Sequence, residues 1–77
     1  MNMTIKIYTT SSCPYCIMAK EFLKQRNVKF EEINVEDNRE AALEMIEKSG
    51  QMGVPVLDIN GKIIVGFDKT AIEKALK

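Results

Sequence analysis

Ile5 and Ile7 alternate with Lys6 and Tyr8, the period of two expected of a strand from about Thr4 to Thr9, and the polar run Thr10 to Ser12 ends it. Pro14 suits the first turn of a helix, where its missing N–H costs nothing, and Ala19, Phe22 and Leu23 give an apolar helical face up to about Arg26. Phe30, Ile33 and Val35 mark a second strand. Asp37 with Glu40 three residues later forms a capping box for a helix over 38–49, with Ala42, Leu43 and Ile46 on its inner face and Gly50 as a left-handed C-cap. Strand character resumes from Val54 to Ile59 behind Pro55. Asn60-Gly61, between two apolar runs, predicts a two-residue hairpin that pairs this strand with Lys62 to Val65. Gly66 ends the hairpin, and Asp68 can cap a last helix carrying Ala71, Ile72, Ala75 and Leu76.

The predicted order is βαβαββα. Two strands joined through a helix run parallel under the right-handed crossover rule, and the added hairpin makes the sheet mixed. The expectation is an α/β domain over residues 1–77, a mixed four-stranded sheet flanked by three helices. Cys13 then falls at the end of the first strand, on the sheet edge where α/β proteins usually bind ligands, and at the N-terminus of the first helix.

Charge narrows the functional classes. Eleven basic and eleven acidic residues cancel and are interspersed, so there is no basic stripe to neutralise phosphates and nucleic acid is not expected as a partner. No segment approaches the roughly 18 apolar residues of a membrane span, and the first residues lack the pattern of a secretory leader. The expectation is a cytoplasmic protein, acting as a monomer. Two cysteines are too few for a secreted disulfide scaffold, and in a reducing compartment a close pair is read as catalytic or metal-binding.

The thiolate is the reactive form of cysteine, and free N–H groups and the helix dipole at a helix N-terminus stabilise it. Cys13 is placed to receive both. Cys16 lies one turn further in, close enough to attack a mixed disulfide on Cys13, and is the natural resolving thiol. A purely structural bridge is a poor explanation, because closing a four-residue loop contributes only about 2 kcal/mol in the chain-entropy model. A monomeric structural zinc needs four ligands, and the chain has no histidine and no third cysteine. That leaves no metal expected within one chain, with a two-ligand soft-metal site or an iron-sulfur cluster shared by two subunits as alternatives. A copper-chaperone plan would lack the helix over 38–49 and would end in a strand.

Cys13-Pro14-Tyr15-Cys16, Val54-Pro55 and Gly66-Phe67-Asp68, at these distances along the chain, resemble the glutaredoxins, and in particular the short glutaredoxin-like proteins of bacteria. The resemblance implies a thioredoxin-like fold and a cis peptide bond before Pro55. It implies that Val54 offers backbone hydrogen bonds to the substrate's cysteine-containing segment, and that Gly66, Phe67 and Asp68 occupy the place where glutathione's γ-glutamyl carboxylate is held. Tyr15 would pack against the substrate or cover the disulfide. Two positions depart from the longer dithiol members: Thr10 stands where those carry Lys or Arg, and Gly66-Phe67 replaces a Gly-Gly turn.

The resemblance implies a thiol-disulfide oxidoreductase with no bound cofactor, acting on disulfide-containing proteins or glutathione mixed disulfides, with glutathione as co-substrate. One alternative is a redoxin reduced by thioredoxin reductase and serving as hydrogen donor to ribonucleotide reductase. Another is a dimeric carrier of an iron-sulfur cluster.

Overall fold

The computed structural model describes residues 4–77. Its elements are β1 (Ile5–Thr9), α1 (Pro14–Gln25), β2 (Glu31–Asn34), α2 (Arg39–Ser49), β3 (Val56–Ile59), β4 (Lys62–Val65) and α3 (Lys69–Leu76). They form one four-stranded sheet in the order β2-β1-β3-β4. β1 pairs in parallel with β2, Tyr8 opposite Ile33, and antiparallel with β3, Ile7 opposite Leu57. The mixed four-stranded sheet with three helices is the plan that the order of elements predicted, and it is the thioredoxin-like fold that the resemblance implied.

Alternation along β1 and β3 sends side chains to two separate cores, since successive residues of a strand point to opposite faces. On one face Ile5, Ile7, Leu57, Ile59 and Ile64 meet Ala19, Phe22 and Leu23 of α1 and Ile72 of α3. On the other, Tyr8 and Val56 meet Ala41 and Met45 of α2. The hairpin turn has both central residues in the left-handed region, Asn60 at φ 52° and Gly61 at φ 89°, which is what a two-residue turn matched to strand twist requires. Gly50, at φ 75°, ends α2 as a left-handed C-cap, its N–H donating to the Ile46 carbonyl at 2.7 Å.

Three details differ from the sequence expectation. Tyr8 is fully buried rather than solvent-facing, because the α2 crossover covers the second face of β1. The N-cap of α2 is Asn38, whose side chain accepts the Ala41 N–H at 3.0 Å, not Asp37. Both residue types cap well, and this register turns Ala41 and Met45 to the sheet. With those two inward, Ile46 packs beside them, Ala42 is half-buried and Leu43 is exposed. The third strand begins at Val56, after the Val54–Pro55 peptide, which is cis.

Candidate active site

The end of β1 and the start of α1 set the site. Polar residues hold the loop between them: Glu36 Oε1 accepts the Ser11 N–H at 2.6 Å, and Asn34 donates to Ser11 Oγ at 3.2 Å. Cys13 follows as the N-cap of α1, in extended backbone, with Pro14 at the first helical position. Its Sγ accepts the Cys16 N–H at 3.2 Å, an amide that also donates to the Cys13 carbonyl at 3.1 Å, so a first-turn N–H is shared between the sulfur and the backbone. Sγ also lies 3.8 Å from the Val54 carbonyl oxygen, across the site from α1.

The two cysteines are free and differ sharply in exposure. Cys13 is partly exposed, whereas Cys16 is 1% exposed. Burial, reinforced by the neighbouring Cys13, pushes the Cys16 thiol up to about 12, while the Thr10 backbone and the Lys20 ammonium act in the opposite direction. At neutral pH Cys16 is therefore a protonated, shielded thiol, and Cys13 is the sulfur that an incoming disulfide meets first.

The other residues singled out in the sequence converge on the same end of the sheet. Pro55 is buried beneath the site, and the Gly66 N–H donates to the Pro55 carbonyl at 2.8 Å, joining the Val54-Pro55 loop to the turn before α3. Gly66 has φ 81°, which a side chain would strain. Phe67 packs edge-on against Phe22 of α1 with ring centroids 5.9 Å apart. Asp68 caps α3, accepting the Ala71 N–H at 3.1 Å. Tyr15 projects from the first turn of α1 and is exposed, as are Ile17, Met18 and Met52. An open groove of about 260 Å³ runs between α1 and the α3 turn, lined by Ile17, Met18, Phe22, Phe67 and Lys69 among others.

Two features escaped the sequence reading. Thr9 and Glu32 were not singled out, yet Thr9 is buried and its Oγ1 donates to Glu32 Oε2 at 3.1 Å, where Lys20 also binds. The signal available was Lys20 at four residues after Cys16, together with β2 lying parallel to β1. On the far side of the sheet, Lys48 joins Tyr8 and Asp58, residues that no local motif connects. No helix among the described residues is long and apolar enough to cross a membrane.

Comparison with known proteins agrees with this geometry. The profile of the Glutaredoxin family matches residues 5–64. An uncharacterised glutaredoxin-like 8.6 kDa protein from the rubredoxin operon of Clostridium pasteurianum is 48% identical over 73 residues, covering 95% of this chain and 97% of its own. Among solved structures, glutaredoxin from Archaeoglobus fulgidus superposes with a TM-score of 0.87 at 27% identity, over 95% of this chain and 85% of that one. The glutaredoxin-like NrdH-redoxin of Escherichia coli, described as having a thioredoxin-like activity profile, gives 0.82 at 31% identity, over 92% of each chain. With Cys13 and Cys16 in the Cys-x-x-Cys position, the chain belongs to the glutaredoxin family of thiol oxidoreductases.

Proposed function

We propose that this protein reduces protein disulfides and glutathione mixed disulfides with Cys13 as nucleophile, the intermediate being resolved by Cys16 in a dithiol mechanism or, on glutathione mixed disulfides, by glutathione. The observation that supports this most is the asymmetry of the pair: a partly exposed sulfur at a helix N-terminus, and one turn behind it a sulfur sealed from solvent. Cys13 thiolate attacks one sulfur of the substrate, expelling the other as a thiolate. Cys16 then loses its proton and attacks Cys13 Sγ, releasing the second substrate thiol and leaving the Cys13–Cys16 disulfide. Two electrons have moved from the pair to the substrate. Two molecules of glutathione restore them, forming glutathione disulfide.

In this reading Val54 presents its backbone to the substrate chain, beside Pro55, and Tyr15 borders the entrance. Gly66, Phe67 and Asp68 with the first turn of α3 receive the γ-glutamyl carboxylate, because a helix N-terminus offers unpaired N–H groups to an anion. No metal or bound cofactor is required. The cytoplasm, where thiols stay reduced, is the compartment such a pair suits.

A second reading is favoured by two residues. Thr10 supplies no positive charge for a glutathione carboxylate, and Phe67, packed on Phe22, stands where the longer members carry a second glycine. These suit a redoxin reduced by thioredoxin reductase and donating to a protein such as ribonucleotide reductase.

The deciding experiment incubates the protein with a glutathione mixed disulfide and NADPH, comparing glutathione plus glutathione reductase with thioredoxin reductase. Turnover with glutathione, lost in Cys13→Ser and retained in Cys16→Ser, is the expected result. Turnover only with thioredoxin reductase supports the second reading, and turnover with neither overturns both.

A further inference from the structure

The resolving step has an electrostatic difficulty that the site addresses through three elements. Cys16 is buried, and once Cys13 is tied up in a mixed disulfide Cys16 must ionise before it can attack. Lys20 lies four residues after Cys16 and so on the same face of α1. Its side chain does not extend freely into water: Nζ sits 2.8 Å from Glu32 Oε2 on β2, and the Lys20 side chain is 24% exposed. The same Oε2 accepts the Thr9 hydroxyl from β1 at 3.1 Å. Lys20 and Thr9 hold the Glu32 carboxyl below its ordinary range: the Lys20 hydrogen bond is the largest influence, burial opposes it, and the Thr9 hydrogen bond adds to it. The carboxylate is thus ionised at neutral pH and fixes the ammonium at the edge of the buried α1 face.

Few groups influence Cys16. On its own helix they are Cys13 and Lys20; from the preceding loop, the Thr10 backbone. Behind Lys20 stand Glu32 of β2, influenced further by Lys24, and the neutral Thr9 of β1, which bonds to the same carboxylate. Cys13 in its anionic form opposes ionisation of Cys16, but that charge is gone in the mixed disulfide. The Lys20 ammonium is the positive charge that remains.

We propose that Lys20, anchored by Glu32 and Thr9, is a positioning residue that stabilises the Cys16 thiolate in the resolving step. The inference rests on the dithiol reading above. As the Cys16–Cys13 sulfur bond forms, the bond from Cys13 to the substrate sulfur breaks and the electron pair leaves with the substrate as a thiolate. The Cys16 proton passes to water. Lys20 itself neither gives nor takes a proton; it offsets the charge that develops on Cys16.

The test uses the reduced protein mixed with one equivalent of 5,5′-dithiobis(2-nitrobenzoate) in a stopped-flow instrument, followed by absorbance of the released aromatic thiolate. Attack by Cys13 releases the first equivalent and attack by Cys16 the second, so the two steps are read separately across pH. In Lys20→Met the second phase should slow by roughly threefold at neutral pH, with its pH profile displaced upward because a positive charge beside Cys16 is lost. Lys20→Arg should restore it to within about twofold, because the charge is kept. Glu32→Gln keeps an oxygen that can accept from Lys20, so the ammonium stays anchored while a nearby negative charge is removed, and the second phase should be as fast or faster.

A merely structural ion pair predicts something else: Lys20→Met and Glu32→Gln would act alike. An unchanged second phase in Lys20→Met, or equal slowing in both variants, overturns the inference and leaves the dithiol reading standing. The dithiol reading itself fails if the wild-type protein releases only one equivalent, or if Cys16→Ser releases two.

Discussion

Helices α1 and α2 pack on opposite faces of the sheet and begin in closely similar geometry. Cys13 and Asn38 both take extended backbone, φ −109° and ψ 105° against φ −135° and ψ 97°, and each side chain accepts the N–H of the third helical residue, at 3.2 Å and 3.0 Å. Asp68 does the same for α3. An amide or carboxylate oxygen is a strong cap and cysteine is not among the favoured ones. In α2 and α3 the cap fastens the helix. In α1 the weaker cap turns the same N–H toward the partly exposed Cys13 sulfur, and the helix is secured instead by Pro14 and by burial of Ala19, Phe22 and Leu23. One structural device fastens two helices and, in the proposed mechanism, serves chemistry in the third.

Substituting the caps separates these uses. The largest effect is expected in Cys13→Ser, which should lose all disulfide reduction in the coupled assay yet keep its urea midpoint or gain up to about 1 kcal/mol, since serine is a good N-cap. Cys16→Ser should lose reduction of protein disulfides that depends on the dithiol while retaining exchange with a glutathione mixed disulfide. Asn38→Ala should leave activity in place and lower stability by about 1 kcal/mol in urea unfolding. Asp68→Ala should cost a similar amount, and a raised KM for the glutathione mixed disulfide would mark that helix end as more than a fastening.

The smallest effect concerns the polar group on the α2 face. Lys48 Nζ lies 2.8 Å from Asp58 Oδ2 and 3.2 Å from the Tyr8 hydroxyl, and Asp58 Oδ1 accepts the Gly61 N–H at 2.8 Å. Burial disfavours the Asp58 carboxylate, but Lys48 and the Gly61 N–H outweigh it and hold the group below its ordinary value of 3.8. Because the folded value is the lower one, the stabilisation is present above that ordinary value and is lost as pH falls through the folded value. Asp58→Asn should therefore reduce stability at neutral pH by less than about 1 kcal/mol and flatten the acid limb of the urea-midpoint profile.

Much of this organisation was legible in the chain. The hairpin followed from Asn60-Gly61, the end of α2 from Gly50, and the position of Cys13 from a strand that breaks before a proline. Where the reading slipped, long-range packing had decided between local equivalents. Asp37 and Asn38 are both competent caps, and only the docking of Ala41 and Met45 on Tyr8 and Val56 selects the second. Tyr8 read as polar because one strand cannot reveal that a crossover helix covers its second face. The Lys20–Glu32–Thr9 contact joins residues on three elements, so local spacing reveals only the step from Cys16 to Lys20. The candidate site residues lie in short motifs that a sequence displays directly, whereas the Gly66–Pro55 hydrogen bond that ties two of their loops together is a long-range contact it does not display.

The most direct test of the unequal roles of the two cysteines is the intact mass of Cys13→Ser and Cys16→Ser after brief exposure to glutathione disulfide. Glutathione attached to Cys13 in the Cys16→Ser protein, with essentially none on Cys13→Ser, is the expected result. An adduct on Cys16 forming as readily in Cys13→Ser would contradict the assignment of Cys13 as the nucleophile.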